Sequence, residues 1–238
     1  MSGPDTREHD ERIAAMFDRV APRYDFLNRV LSLRRDAGWR RRAVELARLG
    51  PNERALDIGT GTGDLAFDLL AASDPTARVA GVDLSERMLA LARGRAEARG
   101  LGPRYEAVHA DGQRLPYPDA SVDRVLASFA VRNFGDVAAG LREMRRVLRP
   151  GGRAVILELS TPPNPLARAI YRVYFDGLVP IIATLLGGDP DAYRYLPRSV
   201  AAFPAPERLA VLLRDAGFAR VRFERLTFGA ATVHVAET

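Results

Sequence analysis

The ten residues Ala55-Leu56-Asp57-Ile58-Gly59-Thr60-Gly61-Thr62-Gly63-Asp64 hold the clearest chemical pattern in the chain. An apolar run enters a glycine-rich turn, and the helix-forming stretch Leu65 to Leu70 leaves it. Strand, glycine turn and helix in that order suit a nucleotide-type ligand. Glycines let the backbone approach closely, and a helix N-terminus offers free N–H groups. Asp83 ends the next apolar run, Val79-Ala80-Gly81-Val82, twenty positions after Gly63. A carboxylate at that strand tip can accept hydrogen bonds from both hydroxyls of a ribose.

Spacing narrows the ligand. The turn reads G-T-G-T-G rather than the G-x-G-x-x-G of dinucleotide sites, and no Gly-Lys-Ser/Thr follows to make a P-loop. Asp57 would repel a pyrophosphate but orient an ammonium. D-x-G-x-G-x-G followed by a ribose-binding acid resembles the S-adenosylmethionine (SAM) site of class I methyltransferases; the alternative is a turn serving only tight strand–helix packing. His109-Ala110-Asp111-Gly112 follows the run Tyr105 to Val108, which puts Asp111 at a third strand end, where it can meet an adenine amino group. Asp123 to Phe129 is a fourth strand with Ser128 near the same rim. Ligands of open parallel sheets bind outside the carboxyl ends of the strands. Taken singly, Asp111 also reads as a solvated turn aspartate and Ser128 as merely a small residue.

These positions need a frame. Strands are expected near 54–58, 78–83, 105–109, 123–129 and 153–159, with helices near 63–72, 85–99, 136–148 and 205–216. That alternation implies a parallel, doubly wound α/β sheet. Arg149-Pro150-Gly151-Gly152 reads as a turn into the fifth strand, and 220–226 with 231–235 as an edge hairpin. Residues 1–12 are polar and read as frayed. Residues 13–50 read as helices broken at Pro22, and residues 160–204 as an insertion rich in proline and aromatics. Both can lie over the ligand rim, one as a lid and one as an acceptor pocket.

At 238 residues the chain suits one substantial domain. It has no cysteine, which excludes a disulfide framework, a thiolate metal site and any cysteine nucleophile. With only His9, His109 and His234, no histidine metal site is expected. All 35 basic residues are arginine and the net charge is +5. Codon bias accounts for this most simply. Six arginines nevertheless cluster from Arg34 to Arg48 against Asp36 and Glu45, a patch suited to an anionic surface or to a solvated helix face. No signal peptide is visible, and the apolar run Gly177 to Gly188 is too short to span a bilayer. A cytoplasmic protein is expected.

Larger stretches resemble one family, the ubiquinone/menaquinone biosynthesis C-methyltransferases, whose menaquinone branch methylates demethylmenaquinol. They are Met16 to Asn28, Leu31-Ser32, Trp39-Arg40, the glycine turn, Gly81-Val82-Asp83-Leu84-Ser85, Ser128-Phe129 and Val131-Arg132-Asn133. Leu148 to Gly152, Leu157 to Ser160 with Pro162 and Asn164, Gly188-Asp189 and Ala192-Tyr193-Arg194-Tyr195-Leu196-Pro197 complete the set. The likeness runs from about residue 13 to 228. It implies a Rossmann-like, seven-stranded sheet with a reversed last strand in a single domain, residues 1–238, carrying the lid 13–50 and the insertion 160–204. It also implies SAM contacts on Thr62, Asp83, Asp111, Gly112 and Ser128, alongside Asp57, Gly59, Gly61 and Gly63 of the turn. Two departures stand out. Ala130 replaces a frequent glycine, and His234 is followed by Val235-Ala236-Glu237-Thr238 rather than a basic, glycine-containing end.

Carbon methylation from a sulfonium needs no metal. It needs an electron-rich carbon held about 3–3.5 Å from the methyl group. A quinone is electron-poor, whereas a quinol, especially its phenolate, is nucleophilic ortho to oxygen. Arg132 is the candidate to stabilise that oxyanion, with a structural salt bridge as the alternative. Tyr24, Asp25, Asn133 and Tyr195 are candidates to meet the quinol. His234 is either a base or a satisfied core residue. The expected partner is a prenylated quinol, without nucleic acid, with peripheral contact at the inner membrane face and a homo-oligomer both left open. Ubiquinone-branch methylation, another small aromatic or sterol acceptor, RNA methylation and a non-catalytic SAM-binding scaffold are the rival readings. Against RNA stand the missing cysteine and the lack of a proline-proline-aromatic motif after the fourth strand; Thr161-Pro162-Pro163-Asn164 follows the fifth.

Overall fold

The computed structural model describes residues 4–186 and 189–238; Gly188, quoted above, lies outside them, as do residues 1–3. Three helices come first: α1 (Pro4–Val20), α2 (Tyr24–Leu31) and α3 (Arg35–Ala47), with Pro22 in a 3-10 turn at Ala21–Arg23. Strands and helices then alternate: β1 (Arg54–Ile58), α4 (Asp64–Ala72), β2 (Arg78–Asp83), α5 (Glu86–Ala98), β3 (Tyr105–His109), β4 (Val122–Ser128), α6 (Val137–Val147) and β5 (Leu148–Leu159). The insertion is helical: α7 (Pro165–Arg172), a π-helical turn (Val173–Leu178), α8 (Val179–Leu185) and α9 (Pro190–Ala202). Helix α10 (Pro206–Asp215), β6 (Arg220–Leu226) and β7 (Ala231–Glu237) end the chain.

The seven strands form one sheet in the order β3-β2-β1-β4-β5-β7-β6, parallel except β7, which runs antiparallel to both neighbours. Both faces are covered, so the central strands are mostly apolar and their alternation sorts those side chains between two cores. Ala55, Leu126, Val155 and Leu157 pack beneath α3 and α4 with Trp39, Phe67 and Leu70. Leu56, Ile58, Val125, Ala127 and Ile156 face α6 and α10 through Leu141, Met144, Leu209 and Leu213. The order reverses between β1 and β4. The crevice above that switch point is where such a sheet takes its ligand.

Two features differ from expectation. Strand β5 begins at Leu148, so the Arg149–Gly152 turn belongs to it. The N-terminus is helical from Pro4 rather than frayed, because Asp10 is buried and satisfied at long range: its Oδ1 accepts from Gly135 N–H (3.1 Å) and its Oδ2 from Gln113 Nε2 (2.9 Å).

Gly63 caps α4 with φ +88°, and a Cβ there would lie 2.5 Å from the Phe67 ring. Gly63→Ala should therefore lower the unfolding free energy by about 1–3 kcal/mol. Urea denaturation checks this: a lower midpoint at unchanged slope is expected, and an unchanged midpoint contradicts the packing described.

Candidate active site

The carboxyl ends of β1, β4 and β5 open on a cavity of ≈340 Å³, roofed by α2, α3 and the insertion. A narrower slot of ≈80 Å³ continues over the ends of β2 and β3 beneath α1. Tyr24, Gly59, Gly61, Ser128 and Phe129 line both.

The glycine turn forms the shared wall. Gly59 (φ +67°) and Thr60 donate their N–H groups to Val82 O at 2.8 and 3.0 Å. A Cβ at Gly59 would come 2.3 Å from that of Ala130, so the alanine at 130 depends on a glycine at 59. Gly61 N–H donates to Asp83 Oδ2 (2.8 Å) and Ser85 N–H to Asp83 Oδ1 (2.9 Å). Each carboxylate oxygen keeps a lone pair for a diol. Asp57 accepts from the Thr60 hydroxyl (2.8 Å) through Oδ2, while its buried Oδ1 has no partner among the described residues. Burial pushes the Asp57 carboxyl up to about 7, against the Thr60 hydrogen bond and the Arg40 charge. An ammonium on Oδ1 would satisfy that atom. Asp111 and Gly112 line the slot, and Asp111 Oδ1 accepts from Gln113 N–H at 2.8 Å. The Ser128 hydroxyl is buried without a partner among the described residues. Gly63 lines neither space: its role is the cap of α4.

Arg132 follows β4 and lines the main cavity. It is also the salt bridge foreseen as its alternative. Nη1 lies 2.9 Å from Glu158 Oε2, and Glu158 Oε1 accepts the Arg132 main-chain N–H (3.2 Å). These side chains are 6% and 2% exposed, yet Arg132 Nε–H has no partner among the described residues. The intervening Phe129 takes φ +58°, and its carbonyl accepts from Arg132 Nη1 and, at 3.3 Å, from Asn133 Nδ2. Left-handed backbone at a bulky residue costs of order 1–3 kcal/mol and gathers at functional sites.

The acceptor candidates divide. Burial raises the pKa of Tyr24, which Arg132 opposes. Asp25 lines the cavity, but Oδ1 accepts from the Thr62 hydroxyl (2.7 Å) and Oδ2 pairs with Arg95, so it clamps α2 to the turn. Tyr195 donates to Asn133 Oδ1 at 3.2 Å, and Asn133 lines the slot; Tyr195 itself lines neither space. His234 lies mid-strand opposite Ile156 and Phe223, 1% exposed, with Nε2 2.9 Å from Pro206 O. It is a core residue away from both spaces, and burial lowers its pKa to about 4. Glu158, Phe129 and Gln113 escaped the sequence reading as site residues, and Tyr171 entered it only as one of the aromatics of the insertion. Only Glu158, an acid within the apolar run Ala154 to Leu159, left a local signal. Among the described residues no group of three or more His, Cys, Asp or Glu is placed to hold a metal ion.

Asp57 and His234 have opposite effects on stability. An acid raised to about 7 binds a proton in the fold that the unfolded chain has already lost, so its contribution falls as pH rises from about 4 to 7. A histidine lowered to about 4 makes stability rise from there to its unfolded pKa near 6.5. The ligand-free Asp57→Asn variant should gain stability relative to wild type between pH 4 and pH 7. Chemical denaturation across that range tests this, and a pH-independent difference contradicts it.

The "ubiE/COQ5 methyltransferase family" model matches residues 5–238. The demethylmenaquinone methyltransferase of Thermus thermophilus is 50% identical, over 93% of this chain and 99% of its own. The ubiquinone/menaquinone biosynthesis C-methyltransferase UbiE of Geobacter sulfurreducens is 44% identical, over 97% and 90%. Among solved structures, the [4+2]-cyclase SpnF shares the fold with TM-score 0.73 at 19% identity, over 96% of each chain. A SAM dependent methyltransferase from Aquifex aeolicus does so with TM-score 0.60 at 20% identity, over 83% and 88%. The chain belongs to the ubiE/COQ5 methyltransferase family.

Proposed function

We propose that this protein is a SAM-dependent C-methyltransferase that converts demethylmenaquinol to menaquinol. The observation that carries the reading is one cavity lined by both Asp57 and Arg132, whose Oδ1 and Nε–H are buried with no partner among the described residues. The first suits the ammonium of an amino-acid moiety, the second a phenolate oxygen. Asp83 would take the ribose, and Asp111, Gly112 and Ser128 the base end. Bound there, SAM supplies an electrophilic methyl group on sulfur and departs as the neutral thioether.

The chain's own groups then orient and polarise. Arg132 holds the acceptor oxygen as an oxyanion, raising electron density on the ortho carbon. Glu158 fixes the guanidinium, so no reorganisation is needed as charge moves. Tyr24, between the two spaces, packs near the ring and excludes water. The quinol oxygen loses its proton on forming the oxyanion and regains one in the product, so the net release to solvent is the single ring proton displaced by the methyl group.

The acceptor's prenyl tail calls for an apolar exit. Leu166, Ile170, Val173, Ile181 and Leu185 form an exposed stripe along α7, the π-helical turn and α8, and Leu33 at the cavity lip is 66% exposed. Arg40 and Arg42 are neutralised by Asp36, Asp64 and Asp68, and by Glu45 and Glu224. Arg34, Arg35 and Arg41 are exposed, with no ion pair among the described residues. No described helix is long and apolar enough to cross a membrane. Stripe and arginines together support peripheral contact with an anionic bilayer.

With SAM and detergent-solubilised acceptor, mass spectrometry should find methylated product only from the reduced form. Arg132→Lys, which keeps a charge against Glu158, should lower kcat about a hundredfold with SAM affinity unchanged. Equal turnover of the oxidised acceptor contradicts the chemistry. Vesicles containing phosphatidylglycerol should float the protein at low salt, and Ile170→Asp with Leu185→Asp should abolish flotation. Retention by the double variant contradicts the docking face.

A further inference from the structure

Six buried side-chain polar atoms have no partner among the described residues, and four of them belong to residues that line the main cavity: Asp57 Oδ1, Ser128 Oγ, Arg132 Nε and the Tyr171 hydroxyl. The proposed function assigns the first three. Tyr171 has no assignment. Its ring is held on α7 by stacking on Phe175, with centroids 4.9 Å apart and planes 16° from parallel, and Phe175 is buried against Leu27, Leu31 and Val179. The ring therefore cannot swing its hydroxyl out to water without breaking that packing.

Two other tyrosines of the insertion are satisfied within the fold. Tyr174 donates to Leu31 O at 3.1 Å and Tyr195 to Asn133 Oδ1 at 3.2 Å. Leaving a buried hydroxyl unpaired destabilises a protein, and phenylalanine would fill the same space without that cost. A tyrosine held in this way suits a ligand that brings an acceptor. The cavity already has a donor for one ring oxygen at Arg132, and a quinol carries a second oxygen across the ring.

We propose that Tyr171 is a substrate-binding residue whose hydroxyl donates to the ring oxygen para to the one held by Arg132. This rests on the quinol reading above. It makes the enzyme selective for para-dioxygenated rings: a ring lacking the second oxygen leaves the Tyr171 hydroxyl unpaired, and sites built on hydrogen bonds discriminate by that route.

Anaerobic calorimetry tests it with short-chain demethylmenaquinol and the matching 1-naphthol that lacks the second oxygen, each titrated into SAM-loaded wild type and Tyr171→Phe. Wild type should bind the quinol about tenfold more tightly than the naphthol, and Tyr171→Phe should bind both alike, with naphthol affinity unchanged. Ligand-free Tyr171→Phe should also melt roughly 2–4 °C higher, since an unpaired buried hydroxyl has gone. Equal loss of affinity for both ligands, or a lower melting temperature, marks a structural role and overturns the proposal. Unchanged quinol affinity in the variant overturns it while leaving the quinol reading intact. Failure of wild type to bind either ligand overturns both.

Discussion

Glu158 and Arg132 form a buried ion pair on which the proposed acceptor half of the site depends. Taking two charges out of water costs several kcal/mol per ion, and removing one partner leaves the other uncompensated at a cost of about 3–5 kcal/mol. The pair is therefore difficult to open, and what hangs on it is fixed. Glu158 holds the main chain of residue 132 as well as its guanidinium. The Phe129 carbonyl, turned inward by its left-handed backbone, holds Arg132 and Asn133. Asn133 in turn receives Tyr195 from the insertion. The guanidinium Nε–H is buried with no partner among the described residues, and it belongs to a side chain that lines the cavity. A preorganised donor of this kind acts most strongly where water is excluded.

The rim of the site is covered by helices that carboxylates fasten to the sheet. Asp10 ties α1 to Gln113 and Gly135, Asp18 ties its other end to Ser85, and Asp25 ties α2 to Thr62 and Arg95. The same helices supply Ile13, Ala14 and Phe17 to the slot and Tyr24 to both spaces. Each fastening ends on or next to a residue assigned to cofactor binding. Closure of the site and shape of the cofactor wall are thus one set of bonds, and substitution at Asp10 or Asp25 would disturb both.

Much of this was readable in the sequence because the strand ends are set by local pattern. Asp57, Asp83, Asp111 and Ser128 each lie at or next to the end of a strand run, and parallel strands bring such ends to one rim. Long-range facts were not readable. The first half of helix α1, up to residue 12, looked frayed because its anchors lie more than a hundred residues away, at Gln113 and Asn133. The six arginines of 34–48 looked like one patch because Asp64, Asp68 and Glu224 approach only in the fold. His234 was a candidate base until the reversed strand set it beside Ile156, in mid-sheet rather than at the rim. Gly63 shares a motif with Gly59 and Gly61, yet its φ of +88° serves the helix cap. Tyr171 was one aromatic among several, and only satisfaction of Tyr174 and Tyr195 by other partners singles it out.

The central claim is that Arg132 stabilises the acceptor as an oxyanion. The most direct measurement is the pKa of a redox-stable naphthol bound to the SAM-loaded protein, read from naphtholate absorbance across pH. In wild type it should fall at least one unit below that of the free naphthol, and in Arg132→Lys most of that shift should disappear. A bound pKa equal to the free value in wild type, with tight binding intact, would contradict oxyanion stabilisation and reduce Arg132 to the structural partner of Glu158.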